Sequence, residues 1–129
     1  MTGFAQVRHL AVGYDEALAR LPDALKAEGF GVVTEVDLAA TLKTKLGVDI
    51  GRYKIVGACN PALAHRALAA EPAIGLMLPC NLVVTEAADG TATVMAIDPT
   101  HTIAAAGVPA LAEVATTVRD KLAAALARL

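Results

Sequence analysis

The chain alternates short β-branched runs with segments of helical periodicity, and this alternation limits the folds it can adopt. Residues 30–36 and 53–58 carry Val, Ile, Tyr and Thr at the density typical of strands. Before them, Leu18, Leu21 and Leu25 recur at spacings of three and four, which indicates a helix with one apolar side. Interleaving these two periods predicts a sheet covered by helices.

Glycine, proline and capping residues mark the helix boundaries. Gly29 is placed to end the first helix in the left-handed conformation, and Asp37 can cap a second, short helix. Asn60 is a good N-cap and Pro61 suits the first helical position, so a third helix is expected until Pro72 stops it. Its start is the clearest local signal in the chain.

The second half of the chain predicts a further strand and a hairpin. Residues 73–78 form an apolar run of strand length, which the third helix would connect in parallel to strand 53–58. Residues 82–85 and 91–97 flank Asp89-Gly90, a dipeptide that favours a tight antiparallel turn.

These elements predict one domain over residues 1–129, a length typical of a single domain. From Leu111 to Leu129 a final helix has an apolar side that should cover the sheet. The expected class is α+β: a single two-layer domain with a mixed sheet, rich in antiparallel pairs, and helices packed on one face.

Charge and hydropathy exclude several classes of partner. A net charge of −2, without a block of like charge, argues against nucleic acid. The longest apolar stretch is interrupted by Gly75 and Pro79 and is too short to span a membrane, and residues 1–8 lack the pattern of a signal peptide. We therefore expect a cytoplasmic protein without a membrane partner, in which two cysteines remain free thiols.

The two cysteines define the candidate site. Cys59 ends the strand before the helix that Asn60 caps, where unpaired backbone N–H groups and the helix dipole favour a thiolate. If the next strand runs parallel, Cys80 emerges at the same sheet edge, with Asn81 beside it. We therefore expect Cys59, Asn60, Cys80 and Asn81 to line one ligand site.

The residue types at this edge suggest a small ligand or a soft metal ion. Two thiolates suit Cu(I), with Met77, Met95 or His101 as additional ligands, whereas a structural zinc site needs four ligands in close pairs. Asp98 and His101 follow the last strand and could serve in binding or acid–base chemistry, although a simple turn is the alternative. No nucleotide-binding loop is present in the sequence, and no particular cofactor is predicted.

Five pieces of the sequence are distinctive when they are taken together: Glu28-Gly29-Phe30, Thr41-Leu42-Lys43 with Lys45-Leu46-Gly47, Gly57-Ala58-Cys59-Asn60-Pro61, Leu78-Pro79-Cys80-Asn81 and Asp98-Pro99. With these pieces, nearly the whole chain resembles the bacterial family called domain of unknown function 302. The resemblance implies a TATA-binding-protein-like α+β fold with a curved sheet and a tendency to form homodimers, but no activity. Members often carry a methionine shortly after the Asp-Pro step, where this chain has Thr100 to Ile103.

Three functions therefore stay open. The first is a binding module for a small ligand or soft metal ion at Cys59 and Cys80. The second is a thiol-dependent redox enzyme, in which Cys59 is the nucleophile and Cys80 the resolving thiol. The third is a structural or interaction dimer in which both cysteines are inert, since cysteine is among the residues most often buried.

Overall fold

A computed structural model describes residues 3–129. Met1 and Thr2, which belong to the predicted single domain and to the N-terminal segment without a signal-peptide pattern, lie outside the described residues. The helices and strands follow one another as β1 (Ala5–Gly13), α1 (Tyr14–Ala27), β2 (Gly31–Asp37), α2 (Leu38–Leu46), β3 (Tyr53–Cys59), α3 (Pro61–Ala70), β4 (Cys80–Glu86), β5 (Thr91–Ile97) and α4 (Pro109–Ala127). Short 3₁₀ helices cover Pro72–Met77, Pro99–His101 and Ala104–Ala106. None of the helices within residues 3–129 combines the length and the apolarity that a bilayer crossing requires.

The five strands form one sheet in the order β1-β5-β4-β3-β2, and each neighbouring pair is antiparallel. The predicted α+β class is confirmed, but the parallel strand over residues 73–78 is wrong. That run forms a 3₁₀ helix because Pro72 starts it and the Glu71 carboxylate caps it, accepting a hydrogen bond from the Ala73 N–H at 3.0 Å. Its apolar residues were compatible with either structure.

One face of the sheet packs on α1, α3 and α4 and forms the core. Cross-strand partners such as Val56 and Leu82, or Val84 and Val94, point to this face and are almost fully buried. On the helices, the apolar stripes supply the other half of the core, including Leu21, Leu111 and Leu122. The predicted layer of helices on one face is therefore confirmed.

The capping signals predicted from the sequence operate as expected. Asp37 accepts a hydrogen bond from the Ala40 N–H at 2.9 Å, and Asn60 accepts one from the Leu63 N–H at 3.3 Å. Gly29, which follows the C-cap Glu28 of α1, adopts a φ of 84°. These local contacts fix where α2 and α3 begin, and α3 in turn fixes the position of Cys59.

No residue of β2, α2 or the loop that follows is buried in the single chain, and only Leu38, Ala39 and Leu42 among residues 31–52 are half-buried. At the end of this stretch, the Arg52 guanidinium stacks on the Tyr14 ring, 4.1 Å from its centroid, and forms an ion pair with Asp15. This contact attaches the loop to the start of α1, but it leaves the apolar side chains of the stretch exposed.

Candidate functional site

The antiparallel pairing of β3 with β4 brings the two cysteines together. Ala58 on β3 lies directly opposite Cys80 on β4, and Cys59 is the next residue along β3. The two cysteines are therefore on neighbouring strands, one position apart in the register. The expected proximity of Cys59 and Cys80 thus arises from a different topology than the predicted parallel crossover. The thiols lie where β3 ends and β4 begins.

Both cysteines line one small cavity between the sheet, α3 and α4. Its volume is about 20 Å³, and the rest of its wall is almost entirely apolar, including Phe30, Leu63 and Ile103. A cavity needs roughly 10–15 Å³ to hold one water molecule. The space between the cysteines and the core therefore accommodates a single small occupant.

The two thiols differ in their surroundings. Cys80 is only 5% exposed, whereas Cys59 is half-buried. Burial, with a smaller contribution from the neighbouring Cys59, raises the pKa of the Cys80 thiol to about 11. Cys80 is thus a neutral thiol at physiological pH unless a cation displaces its proton.

Gly57 allows the segment before β4 to lie close to β3. A β-carbon at this position would come within 2.1 Å of the Thr34 Oγ1 atom and 2.7 Å of the Pro79 Cγ atom. The Leu78–Pro79 peptide, which is cis, leads directly into Cys80. Contact between Gly57 and Pro79 therefore sets the approach of Cys80 to β3.

The two predicted asparagines have separate environments. Asn60 is engaged locally: besides capping α3, its side-chain amide donates a hydrogen bond to the Glu28 carbonyl oxygen at 3.4 Å. Asn81 pairs with Gly57 on the sheet face away from the helices and is exposed. Asn60 is thus positioned as a structural cap, while the amide of Asn81 is available to a ligand.

Asp98 and His101 are not found with the cysteines. The Asp98 carboxylate accepts hydrogen bonds from the Thr100 hydroxyl at 2.6 Å and the Thr100 N–H at 2.9 Å, which caps a 3₁₀ turn. Burial favours a higher pKa for Asp98, but these hydrogen bonds and the nearby His101 and Arg119 hold its pKa below the ordinary value. His101 is exposed, and Ile103, two residues later, is the side chain that lines the cysteine cavity.

The sequence reasoning missed a group of residues on the sheet face away from the helices. Tyr53, Val83 and Ile97 line a depression there together with Asn81 and Met95. The sequence contained an indication of this apolar face. A strand with one solvated face alternates apolar and polar residues, whereas Leu82-Val83-Val84 is continuously apolar and so places apolar side chains on both faces of the sheet.

Met77 and Met95 do not line the cysteine cavity; they line depressions on the sheet face away from the helices. Among residues 3–129, no group of three or more His, Cys, Asp or Glu side chains is arranged to hold a metal ion. Among these four residue types, the two cysteines would therefore be the ligands of any ion bound at this position.

The architecture defines the class: an α+β domain whose antiparallel five-stranded sheet carries its helices on one face and two free thiols at the junction of β3 and β4. The sequence profile described as Domain of unknown function DUF302 matches residues 6–129, and the chain belongs to this family. A crystal structure of the uncharacterized conserved protein DUF302 from Bacillus stearothermophilus is similar to it, with 34% identity, 98% coverage of both chains and a TM-score of 0.90. No curated protein matches the sequence.

Proposed function

We propose that this protein is a cytoplasmic binding module that holds one soft monovalent metal ion, Cu(I), between Cys59 and Cys80. The observation that supports it is that both cysteines line the same cavity, whose other walls are almost entirely apolar. Thiolates select soft ions such as Cu(I) over hard ones. The cytoplasm keeps such thiols reduced and available.

The size of the cavity favours an ion over an organic ligand at this position. Pockets for small organic molecules span roughly 300–1,000 Å³. The space lined by the two cysteines measures about 20 Å³. If the cysteines bind a ligand without rearrangement of the core, that ligand has the size of a single ion or water molecule.

Binding at these thiols depends on pH, because only the thiolate coordinates a metal. The pKa of Cys80 is raised to about 11, so its proton must leave when the ion enters. Below that pH, each proton displaced makes the apparent affinity rise about tenfold per pH unit.

Anaerobic titration with Cu(I) against a colorimetric Cu(I) chelator tests the proposal. We expect one ion per chain for the intact protein and at least a tenfold weaker affinity for Cys59→Ser and for Cys80→Ser, about 1.4 kcal/mol or more. Because the chain contains two cysteines in all, these variants account for every thiol. Equal, weak binding by all three proteins would refute the metal site.

A second candidate is thiol chemistry, which the contrast between half-buried Cys59 and buried Cys80 favours. An accessible attacking thiol beside a shielded resolving thiol is a common arrangement in redox proteins. The rate of alkylation by iodoacetamide, followed against pH, separates the candidates. An ordinary thiol profile for Cys59, or no reaction in the folded protein, would count against thiol catalysis and leave binding or inert cysteines.

We also propose that the working form is a homodimer in which the second copy covers the stretch of residues 31–51. Apolar side chains in this stretch are exposed, with Val33 at 58%, Leu46 at 70% and Ile50 at 45%. Helices and strands normally bury an apolar face against another layer, yet no residue of β2 or α2 is buried within this chain. A second copy would supply that layer.

Sedimentation equilibrium of the intact protein tests the dimer. We expect twice the 13.2 kDa mass of one chain, and a monomer with unchanged circular dichroism for Leu46→Glu. Leu76→Glu is the matched control, since Leu76 is even more exposed, at 91%, but lies outside this stretch. A monomeric intact protein, or dissociation by Leu76→Glu alone, would contradict the proposal.

A further inference from the structure

The centre of the sheet face away from the helices is apolar, although Thr85 and Thr93 also point to this face. On β3, β4 and β5, Ile55, Val83 and Met95 point to this face, and register pairs place them side by side. α1, α3 and α4 all pack on the opposite face. Sheets with one solvated face alternate apolar and polar residues cleanly, so this pattern is typical of a face that is kept dry.

Two depressions in this face meet at Asn81. The larger, of about 310 Å³, includes Tyr53, Val83 and Met95 in its wall. The second, of about 230 Å³, is bordered by Met77 and shares Asn81 and Ile97 with the first. The larger depression alone reaches the lower limit of roughly 300 Å³ for pockets that bind small organic molecules.

The chemistry of the wall restricts the ligand. Within residues 3–129, no charged side chain lines either depression. A charged ligand would lose its hydration without an opposite charge to replace it, which costs several kcal/mol. At the junction, the exposed Asn81 amide offers both a hydrogen-bond donor and an acceptor, and unlike Asn60 it caps no helix.

We propose that this face is a second binding site, separate from the cysteine cavity, for a small uncharged and largely apolar molecule whose single hydrogen-bonding head contacts Asn81. The volume of the larger depression, about 310 Å³, supports a small molecule as the occupant, because it reaches the lower limit of pockets for such molecules. Pockets that combine an apolar wall with a few polar groups are the usual form of small-molecule sites.

A pair of fluorescent naphthalene probes tests the site: prodan, an uncharged ketone, and anilinonaphthalene sulfonate, which carries a negative charge. We expect prodan to bind the intact protein at least tenfold more tightly than the sulfonate, and Asn81→Asp to weaken prodan binding about tenfold, the effect of 1.4 kcal/mol. Thr93→Asp is the matched control, because Thr93 lies on the same face outside the depressions, and it should change prodan binding by no more than about twofold.

Three results would overturn the proposal. The first is that the sulfonate binds more tightly than prodan, and the second is that Asn81→Asp and Thr93→Asp change prodan binding equally. The third is that prodan binding is lost as the protein self-associates at higher concentration, which would show that a second copy fills the face. Folding of both variants is checked by circular dichroism. If Asn81→Asp weakens prodan binding but keeps the Cu(I) affinity of the intact protein, the two proposed sites are tested independently of each other.

Discussion

Replacing Gly57 with alanine should destabilise the protein by about 2–3 kcal/mol, the upper part of the range for adding a methyl group to a packed site. The new β-carbon would lie 2.1 Å from Thr34 Oγ1 and 2.7 Å from Pro79 Cγ. Thr34 is exposed and can rotate away, but the Pro79 ring is rigid and is joined to the start of β4. Relief of the second contact therefore requires the backbone before Cys80 to move.

Urea unfolding followed by circular dichroism measures this effect. At a denaturant slope of about 2 kcal/mol per molar, the midpoint should fall by about 1–1.5 M. Gly75→Ala is the matched control: Gly75 lies outside residues 31–51, which the second copy is proposed to cover, and an added β-carbon there meets nothing within 4 Å. We expect that variant to stay within about 0.5 kcal/mol of the intact protein.

The double variant Thr34→Ala/Gly57→Ala separates the two contacts. It removes the Thr34 hydroxyl and keeps the Pro79 contact, so most of the destabilisation should persist. A single Gly57→Ala variant as stable as the intact protein, or full recovery in the double variant, would refute the argument that Pro79 sets the approach of β4 to β3.

Three further outcomes are expected. The Cys80 thiol has a pKa of about 11 in the folded chain against 9.0 for its reference, so it leaves stability unchanged below pH 9 and contributes a loss of about 1.4 kcal/mol per pH unit from there to pH 11. Burial also raises the pKa of Tyr14, which adds a loss of the same sign, so Cys80→Ala should make the fall of unfolding free energy with pH shallower without abolishing it. Asn60→Ala should cost about 1 kcal/mol in urea unfolding through loss of the α3 cap, and a normal midpoint would contradict the cap assignment. Leu122→Ala, in the core, should cost about 2–5 kcal/mol, whereas Leu76→Ala, at 91% exposure, should stay within about 0.5 kcal/mol; equal losses would disprove the core assignment.

Sequence reasoning succeeded where a few neighbouring residues decide the structure. Asp37 and Asn60 cap the helices that follow them, and Asp89-Gly90 joins β4 to β5. Each of these signals acts through hydrogen bonds or backbone angles within a few residues. It therefore does not depend on how the rest of the chain folds, and the α+β class follows from the sum of such elements.

It failed where the structure depends on what surrounds a segment. Residues 73–78 have the length and hydropathy of a strand, but only Ile74 of the 3₁₀ helix there is buried, and Leu76 projects away from the fold. Hydropathy cannot distinguish a strand from a tight helix in so short a run. The prediction for Asp98 and His101 failed for the same reason. The Asp98 carboxylate was predicted to be available for chemistry, but it accepts two hydrogen bonds from its neighbour Thr100.

The apolar content of the chain connects the two proposed binding surfaces. The chain is 56% apolar even without its ten glycines, whereas soluble domains are typically about 45–50% apolar with glycine counted, and α1, α3 and α4 cover one face of the sheet. Two surfaces keep apolar side chains accessible: the sheet face that carries the half-buried Val83 and Met95, and residues 31–51, where Val33 and Leu46 are exposed. Exposing these two surfaces to water is unfavourable by about 25 cal/mol per Å² of apolar area, so covering each of them would be favourable. If a second copy covers residues 31–51 without reaching Asn81, the dimer and the uncharged ligand occupy different surfaces, and the Leu46→Glu monomer should still bind prodan with the affinity of the intact protein.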